Sequence, residues 1–537
     1  MKSILDYLEN TALQFKDKVV FSDDTMSITY SGFVAKAKSV GTALLQRGCA
    51  KQPVAIFMDK SVNCLVAMFG ALYCGGFYFV IDADMPAERI KTIFSVLNPK
   101  TIITQKSLVA KTFEFANNYS VLQFEDIVLT SENIAMLNES RASAISADPQ
   151  YVLFTSGSTG TPKGTVVTHQ NVISYALWFA KTFNISHETV FGNQSPFYFS
   201  MSVSDIYGTI ITGATLHIIP KQYFSFPIKL VAFMNERKIN TIYWVPSALN
   251  IVANLNLFKY ALPTYLTDVL FAGEVMPTKQ LNYWRSYLPN ANYANLFGPT
   301  ETTDICAYYK INRNFSDDET LPIGNACENL DVFLINENGE LCKNKFANLL
   351  KENKKASECK NDKVCNTENS NGVEAKQNDC EEGELYVRGA FVAAGYYNNP
   401  EKTALAFVQN PLNKSYPEIV YKTGDICRYN RFGELEFLSR KDFQIKHLGY
   451  RIELGEIETA GNSIKEVKNC LCLFDKKHDS IYMVFEGNIN ELELGVQLAK
   501  KLPTYMCPSK LFKVKSMAHN QNGKIDRNFY MAEYLNK

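Results

Sequence analysis

The sequence carries no excess of charge of either sign. Lys and Arg together number 55, and so do Asp and Glu, in a chain of 537 residues. A neutral chain has no general attraction for DNA, RNA or anionic lipid, so any polyanion that it binds must be recognised locally. We therefore expect no nucleic-acid partner and no membrane association.

An unbroken apolar run of membrane-spanning length is also lacking. The longest apolar stretch, 65–81, is split by Gly75-Gly76, and it predicts a buried helix, a turn and a strand. The N-terminus carries Asp6 and Glu9 among its apolar residues, which predicts an amphipathic surface helix and no signal peptide. Among the 13 cysteines, the spacing of Cys342, Cys359, Cys365 and Cys380 does not match the short paired spacing of zinc sites. We expect a reduced, cytoplasmic protein with free thiols.

Strand-like runs alternate with helical patterns through most of the first 330 residues, which favours layered α/β structure. The clearest strand-like runs are 19–21, 54–57, 101–104, 151–154 and 241–244, and 30–45 has helical periodicity. The length of the chain favours at least two folding units. Residues 343–382 are rich in Lys, Asn and Glu and predict a largely disordered surface insertion.

The most informative stretch is 151–164, where an apolar strand runs directly into a loop rich in Gly, Ser and Thr. Glycine allows a close approach of the backbone to a ligand, hydroxyls donate hydrogen bonds to phosphate oxygens, and a lysine supplies charge. The candidate phosphate ligands are Thr155, Ser156, Gly157, Ser158, Thr159, Gly160 and Lys163. Pro162 stands where the common nucleotide-binding loop has its second glycine, and no G-x-G-x-x-G motif is present.

At this loop the chain resembles the adenylate-forming superfamily, which includes acyl-CoA synthetases, luciferases and the adenylation domains of nonribosomal peptide synthetases. The segments that carry the resemblance follow one another in order at 28–30, 72–82, 151–164, 295–301, 383–389, 421–425, 440–456, 502–508 and 522–527. The residues at 451–456 and 523–527 are similar to the motifs of the amino-acid-activating branch. The residues at 202–207 are similar to those of D-alanine–carrier-protein ligases. The resemblance covers almost the whole chain apart from the polar insertion.

The resemblance implies an α/β fold in which a large N-terminal domain of layered α/β subdomains (1–439) is joined through a hinge (440–442) to a small mobile α+β domain (443–537). It also implies an AMP-forming acid–thiol ligase that uses ATP and Mg²⁺. Asp442 matches the hinge position of the family. Rotation about it would exchange Lys524 for the 446–449 face of the small domain and open a channel for a thiol.

The same resemblance assigns roles to single residues. Thr300 and Glu301 would lie at the triphosphate, with Glu301 as the Mg²⁺ ligand. Phe297 would pack on the adenine, and Asp425 would accept both ribose hydroxyls, with Arg440 also at the nucleotide. Lys524 would stabilise charge while the acid oxygen attacks phosphorus.

The substrate pocket departs from the family pattern. Amino-acid-activating relatives carry an Asp that pairs with the α-ammonium, and this chain has Ser200 at the aligned position. A hydroxyl does not neutralise an ammonium, and an unpaired buried charge is costly. Either the acid lacks an α-amine, or its amine is displaced and paired elsewhere, with Asp304 as the first candidate. The other pocket residues implied are Met201, Ser204, Trp244, Ala272 and Leu296.

The thiol acceptor is expected to be the phosphopantetheine arm of a carrier protein acting in trans, with coenzyme A as the alternative. The similarity of the motifs to those of nonribosomal peptide synthetases favours the carrier protein. The alternative function is that of an acyl-CoA synthetase for an acid without an α-amine.

Overall fold

A computed structural model describes residues 3–155, 162–344, 381–441, 444–518 and 525–535. Three expectations therefore fall outside the described residues: most of the phosphate loop (Ser156 to Gly160), Asp442 at the hinge, and Lys524. The predicted insertion at 343–382 also lies outside them, except for its ends.

The local predictions for the N-terminal region are confirmed. The N-terminus forms α1 (Ile4–Gln14), and 30–45 forms α2 (Tyr30–Leu45), whose first turn is capped by the Thr29 side chain. The apolar stretch 65–81 folds as α3 (Val62–Tyr73), a turn and β4 (Phe77–Ile81), all buried. Gly75 has φ +72 in that turn, a backbone conformation that favours glycine.

The first sheet of the large domain has nine strands in the order β15-β14-β13-β12-β11-β9-β10-β1-β2. Its strands are β1 (Val19–Ser22), β2 (Ser27–Thr29), β9 (Val190–Asn193), β10 (Thr215–Ile218), β11 (Thr241–Trp244), β12 (Asp268–Phe271), β13 (Asn292–Phe297), β14 (Ala307–Lys310) and β15 (Asn325–Ala326). From β12 through β11, β9 and β10 to β1 the neighbouring strands are parallel, which is typical of α/β layering.

The second sheet has seven strands in the order β18-β8-β7-β4-β3-β5-β6. Besides β4, they are β3 (Pro53–Phe57), β5 (Thr101–Thr104), β6 (Ser120–Gln123), β7 (Pro149–Thr155), β8 (Lys163–Thr168) and β18 (Gly395–Tyr396). Strand β7 lies between β4 and β8, so the loop that follows it lies at the end of a buried strand pair.

Helices cover these two sheets and bury one continuous apolar core between them. Beyond α1 to α3 the helices of the large domain are α4 (Ala87–Leu97), α5 (Val109–Thr112), α6 (Phe124–Ile127), α7 (Ile134–Ala142), α8 (His169–Thr182), α9 (Ser202–Thr212), α10 (Pro227–Glu236), α11 (Pro246–Asn254), α12 (Thr278–Tyr287) and α13 (Pro400–Ala406). Short 3₁₀ turns occupy Lys106–Leu108, Lys221–Ser225, Leu257–Lys259, Thr300–Thr302 and Thr504–Met506.

The third sheet is antiparallel. It consists of β16 (Leu330–Ile335), β17 (Glu382–Gly389), β19 (Phe407–Gln409), β20 (Ile419–Tyr429) and β21 (Leu435–Arg440), and β20 carries Asp425 opposite Arg440. The described part of the small domain begins with a hairpin of β22 (Gln444–His447) and β23 (Tyr450–Glu453).

A three-stranded sheet and three helices complete the small domain, which has its own apolar core. They are α14 (Leu454–Asn462), β24 (Val467–Asp475), β25 (Ser480–Gly487), α15 (Glu491–Ala499), β26 (Lys510–Val514) and α16 (Arg527–Tyr534). The α/β fold with a large N-terminal and a smaller C-terminal domain is confirmed.

Two global features accompany this architecture. Within the described ranges, no helix combines the length and the apolarity that crossing a bilayer requires. The ten cysteines in these ranges are all free thiols, and nine of them are buried. Burial raises the pKa of the Cys64 and Cys74 thiols to about 12, so both behave as apolar side chains.

Candidate active site

A tight turn after β13 positions the two acidic residues of the site. The chain leaves the strand at Phe297, passes Gly298-Pro299 and enters the 3₁₀ turn Thr300–Thr302. A Cβ on Gly298 would lie 2.4 Å from the Asp304 carbonyl oxygen, so only glycine fits this close approach. The turn buries Thr300, Glu301 and Asp304 together.

Glu301 is fully buried and both of its carboxylate oxygens are engaged. Oε1 accepts a hydrogen bond from the Tyr396 hydroxyl at 2.6 Å and lies 3.6 Å from Lys163 Nζ. Oε2 lies 2.6 Å from Nη1 of Arg451, which comes from β23 of the small domain. Burial raises the pKa of Glu301, but the charges of Arg451 and Lys163 outweigh this effect and lower the pKa to about 2. The carboxylate is therefore an anion held between two cations.

The implied Mg²⁺ does not fit this arrangement of the site. Mg²⁺ requires carboxylate oxygens with free lone pairs at about 2.1 Å, and it keeps several waters. In the described structure the oxygens of Glu301 are taken by Tyr396 and Arg451, and two cationic side chains lie within 3.6 Å of the carboxylate.

The ends of the phosphate loop are described on both sides of its centre. Thr155 ends β7, Lys163 begins β8, and the two residues pair across the strands. A Cβ on Gly164 would lie 2.7 Å from Val152 Cγ1, so the glycine permits tight packing beneath the loop. The Thr155 hydroxyl is buried and has no hydrogen-bond partner among the described residues. A phosphate oxygen would supply the missing partner.

Burial lowers the pKa of Lys163 to about 8, and the charge of Arg451 acts in the same direction. His169, the first residue of α8, is buried behind β8, and burial lowers its pKa to about 4. His169 is therefore neutral near pH 7 and packs as part of the structure.

The residues assigned to the adenine and the ribose contact side chains that line the cleft between the domains. Phe297 packs 5.8 Å from Phe437, measured between ring centroids, and Asp425 Oδ1 is 2.6 Å from Nη1 of Arg440. Lys446 of the small domain places its ammonium 4.8 Å from the centre of the Phe297 ring. The cleft has a volume of about 1690 Å³, and Phe437, Arg440 and Lys446 contribute to its lining.

The hairpin of the small domain packs directly against the large domain. A Cβ on Gly449, which has φ +81, would lie 2.6 Å from Val245 Cγ1. The Tyr450 hydroxyl lies 3.1 Å from that of Tyr198, and its ring stacks on Tyr505 at 3.6 Å. A second cavity of about 780 Å³ borders this contact and is lined by Tyr198, Val245, Gly449 and Tyr450, among others.

Asp304 lies in a cage of hydroxyl groups. Its Oδ2 accepts hydrogen bonds from Tyr243 at 2.9 Å, Tyr175 at 3.0 Å and Ser204 at 3.1 Å. The Ser200 side chain is also close enough to this carboxyl group to lower its pKa. Burial raises the pKa of Asp304 to about 6, although the hydroxyl donors act in the opposite direction. No described residue forms an ion pair with it.

The structure brings the residues predicted for the substrate pocket close together, with one exception. Ser200, Met201 and Ser204 stand at the start of α9, and a Cβ on Gly273 would lie 3.4 Å from Met201 Sδ. Tyr243 pairs with Leu270, and Leu270 pairs with Ala294. Since side chains alternate along a strand, Tyr243 shares its sheet face with Ala272 and Leu296.

Trp244 points to the opposite face of the sheet. Its indole N–H donates to the Gly192 carbonyl at 2.8 Å, and its ring packs against Phe224 at 5.2 Å. Trp244 is therefore corrected from a pocket residue to a core residue, and the neighbouring Tyr243 occupies the pocket side. Asp205 is also structural, because its carboxylate accepts from Asn193 Nδ2 at 2.7 Å.

Four side chains that contact Asp304 or Glu301 were not predicted from the sequence. Arg451 lies in the segment 440–456, which carries part of the family resemblance, so the sequence did contain a signal for it. Tyr175, Tyr243 and Tyr396 carry no local pattern of their own, and only the fold brings them to Asp304 and Glu301.

Comparison with known proteins defines the class as that of the AMP-forming ligases, which use ATP. The family described as AMP-binding enzyme matches residues 8–347, and the chain belongs to this family. Tyrocidine synthase 1 of Brevibacillus parabrevis is 27% identical over 532 residues, which are 98% of this chain and 44% of that protein. Zwittermicin A synthase ZmaJ of Bacillus cereus is 28% identical, over 95% of this chain and 90% of that protein. The chain thus spans less than half the length of tyrocidine synthase 1.

Solved structures show the same fold. The Vibrio cholerae adenylation domain AlmE, in complex with glycyl-adenosine-5'-phosphate, superposes with a TM-score of 0.80 at 18% identity and covers 99% of this chain and 98% of its own. Holo-PA1221, a nonribosomal peptide synthetase protein containing adenylation and PCP domains, gives 0.79 at 20% identity and covers 99% and 84%.

Proposed function

We propose that the protein uses ATP to activate an amine-bearing carboxylic acid as an acyl-adenylate and then transfers the acyl group to the phosphopantetheine thiol of a carrier protein in trans. The observation that carries the choice of substrate is the buried carboxylate of Asp304, which is surrounded by hydroxyls and pairs with no cation among the described residues.

Hydroxyl groups stabilise an anion by donating hydrogen bonds, but they do not cancel its charge. A carboxylate without a counter-charge in a dry interior is costly, and its raised pKa records that cost. An ammonium group of the substrate would neutralise Asp304. We therefore place the amine of the acid against this side chain.

The position of Ser200 supports the same assignment. Ser200 takes the place at which amino-acid-activating relatives carry their acidic residue, and its side chain is close enough to Asp304 to lower the pKa of that carboxyl group. The two positions thus border one space. A carboxylate at position 304 in place of one at position 200 keeps an anion at this end of the pocket. The substrate amine would then bind at a shifted position, against Asp304.

In the first reaction an oxygen of the substrate carboxylate attacks the α-phosphorus of ATP. The bond between the α-phosphorus and its bridging oxygen breaks, and pyrophosphate leaves. Lys163 and the Thr155 hydroxyl, which has no hydrogen-bond partner in the described part of the chain, are suited to hold phosphate oxygens. Thr300 lies in the 3₁₀ turn that follows β13. By the family resemblance Lys524 neutralises charge at the reacting carboxylate and α-phosphate. Such a displacement depends on positioning and charge neutralisation.

In the second reaction a thiolate attacks the acyl carbonyl carbon, and AMP leaves with the electron pair of the broken C–O bond. The cavity beside Gly449 and Tyr450 is the proposed approach of the thiol, since it opens along the contact between the two domains. A carrier protein is favoured as the donor of this thiol because PA1221 joins its adenylation domain to a PCP domain. Coenzyme A remains the alternative acceptor.

The test is ATP–pyrophosphate exchange with purified protein and Mg²⁺, using pairs of acids that share a carbon skeleton and differ only in the amine. The panel contains α-amino, β-amino, hydroxy and aryl acids. We expect exchange with an amine-bearing acid and little with its matched analogue. Asp304→Asn keeps the shape and removes the charge, and it should lower kcat/KM about 100-fold or more for the amine-bearing acid only.

The opposite result identifies the second candidate. Exchange with acids that lack an amine, unchanged in Asp304→Asn, would contradict the proposal and support an acyl-CoA synthetase. The observation that favours this alternative is Ser200, which supplies no charge for an α-ammonium. Transfer assays with coenzyme A and with a phosphopantetheinylated carrier protein then separate the two acceptors.

A further inference from the structure

Arg451 of the small domain is held in position before it reaches the large domain. It stands on β23, and its Nε donates to Gln444 Oε1 on the paired strand β22. Gln444 in turn donates to Glu453, so the hairpin itself orients the guanidinium. The side chain is 11% exposed and its Nη1 lies 2.6 Å from Oε2 of Glu301, which is 0% exposed.

This ion pair lies where the family resemblance implies a divalent cation. Glu301 is the carboxylate expected to bind the metal, and Arg451 lies along the lone pairs of one of its oxygens. Tyr396 and Lys163 flank the other oxygen at 2.6 and 3.6 Å. A dication bound to Glu301 would collide with the guanidinium, and two unit charges in a buried site repel strongly. The docked hairpin and a bound metal are therefore incompatible.

The consequence extends beyond one side chain because Arg451 shares its hairpin with Lys446 and Gly449. Lys446 lies over the Phe297 ring, and Gly449 packs against Val245. The hairpin is short and its strands are joined through Gly449 and Leu448, so these contacts with the large domain form as one unit. If Arg451 leaves Glu301, the contacts of Lys446 and Gly449 with the large domain are weakened as well.

We propose that Arg451 and a divalent cation compete for Glu301, and that this competition sets the position of the small domain. When Arg451 occupies Glu301, the hairpin face is docked and the buried carboxylate is neutralised. Arg451 acts through Glu301 and the hairpin and touches no reacting atom, so it is a positioning residue. The inference does not depend on the proposed substrate, and it takes only the role of Glu301 as the metal ligand from the family resemblance.

The test uses Mn²⁺ alone as the probe, with the full chain and no nucleotide or acid. Electron paramagnetic resonance of free Mn²⁺ gives the affinity. We expect Arg451→Gln to bind Mn²⁺ about tenfold more tightly than the wild type, since the competing cation is gone. Arg451→Lys should fall between the two, and Glu301→Gln should lose the site.

A matched control comes from Arg388, which forms two ion pairs on the third sheet and is 40% exposed. Arg388→Gln should leave Mn²⁺ affinity unchanged. Circular dichroism and thermal melting identify any variant that fails to fold, and Arg451→Lys keeps the test decisive if Arg451→Gln does.

The position of the domain is read by small-angle X-ray scattering. Mn²⁺ should change the scattering profile of the wild type over the same concentrations at which it binds, because competition is reciprocal. The change should be absent in Glu301→Gln.

Equal Mn²⁺ affinity in the wild type and Arg451→Gln would overturn the proposal and leave an ordinary structural ion pair. These measurements require no substrate, so they remain valid if no acid of the panel supports pyrophosphate exchange. Asp304→Asn should bind Mn²⁺ with the same affinity as the wild type.

Discussion

The Tyr243 hydroxyl donates a hydrogen bond of 2.9 Å to Asp304 Oδ2, although the two residues are 61 positions apart. Tyr243 lies on β11, in the middle of the nine-stranded sheet, and Asp304 follows the turn after β13. The contact makes the orientation of the proposed ammonium-binding carboxylate depend on a residue of the rigid sheet.

Tyr243→Phe should therefore weaken the binding of an amine-bearing acid. A hydrogen bond to a charged group contributes about 1.5–3 kcal/mol, so we expect KM in pyrophosphate exchange to rise about 10-fold or more with a smaller change in kcat. Tyr293→Phe is the matched control, because Tyr293 lies at the start of β13 and its hydroxyl donates to the Leu288 carbonyl and not to Asp304. An equal effect of Tyr243→Phe on the matched acid without an amine would contradict the assignment.

The pH dependence of substrate binding follows from the same carboxyl group. Burial raises the pKa of Asp304 from the ordinary value of 3.8 to about 6. As pH falls through about 6 the group gains a proton and loses its attraction for an ammonium. We expect kcat/KM for the amine-bearing acid to fall below this pH, and the acidic limb should be missing in Asp304→Asn. A limb that persists in this variant would assign the titration to another group.

The stability of the free enzyme should change in the opposite sense to its activity. Because the folded-state pKa of Asp304 lies above its unfolded value, the folded protein binds this proton more tightly, and stability falls as pH rises from about 4 to about 6. Asp304→Asn removes this penalty while keeping the shape of the side chain. Above pH 6 and without substrate, its free energy of unfolding should exceed that of the wild type by about 1–3 kcal/mol. Denaturant unfolding at pH 4 and pH 7 measures the difference, and an advantage that is larger at pH 4 would refute the account.

The contacts between the domains give a prediction about the second reaction. Arg89 on α4 and Glu456 on α14 form a buried ion pair across the domain boundary. Breaking one partner of a buried pair leaves an uncompensated charge, which destabilises this docked arrangement. Arg89→Ala should slow acyl transfer to the thiol about tenfold or more and leave pyrophosphate exchange nearly unchanged. Lys91→Ala on the same helix is the control, since Lys91 pairs with Glu88 in an exposed position. Equal losses in both half-reactions would indicate a general defect in folding.

The local sequence pattern predicted the helices and strands, but it did not predict which side chains of a buried strand face the pocket. Residues 241–244 are a strand as predicted, yet all four are buried, so no alternation of polar and apolar residues indicates which side chains face the pocket. Trp244 was assigned to the pocket on the family position, and the structure turns it to the opposite face. The direction of a side chain in a fully buried strand is decided by the packing on both sides.

The groups around Asp304 and Glu301 show a second limit. Tyr175 lies on α8, Tyr243 on β11 and Tyr396 on β18, and each meets its carboxylate only after the sheets have packed. A motif records residues that are close in sequence. It identified both carboxylates, because they lie on one turn, and it contained no information about partners that are distant in the chain.

Gly449→Ala is expected to disturb the docked hairpin through a clash and not through the backbone alone. The added Cβ would lie 2.6 Å from Val245 Cγ1 on the large domain, and Gly449 has φ +81, where an L-residue is strained by about 1–2 kcal/mol. Gly339→Ala separates the two effects, because Gly339 has φ +80 and no atom within 4 Å of the added Cβ. Both variants should lose similar thermal stability, whereas only Gly449→Ala should slow thiol transfer relative to pyrophosphate exchange. Single-turnover transfer from a preformed acyl-adenylate measures this ratio. A matching slowdown in Gly339→Ala would show that backbone strain is sufficient and that the contact with Val245 has no role in the second reaction.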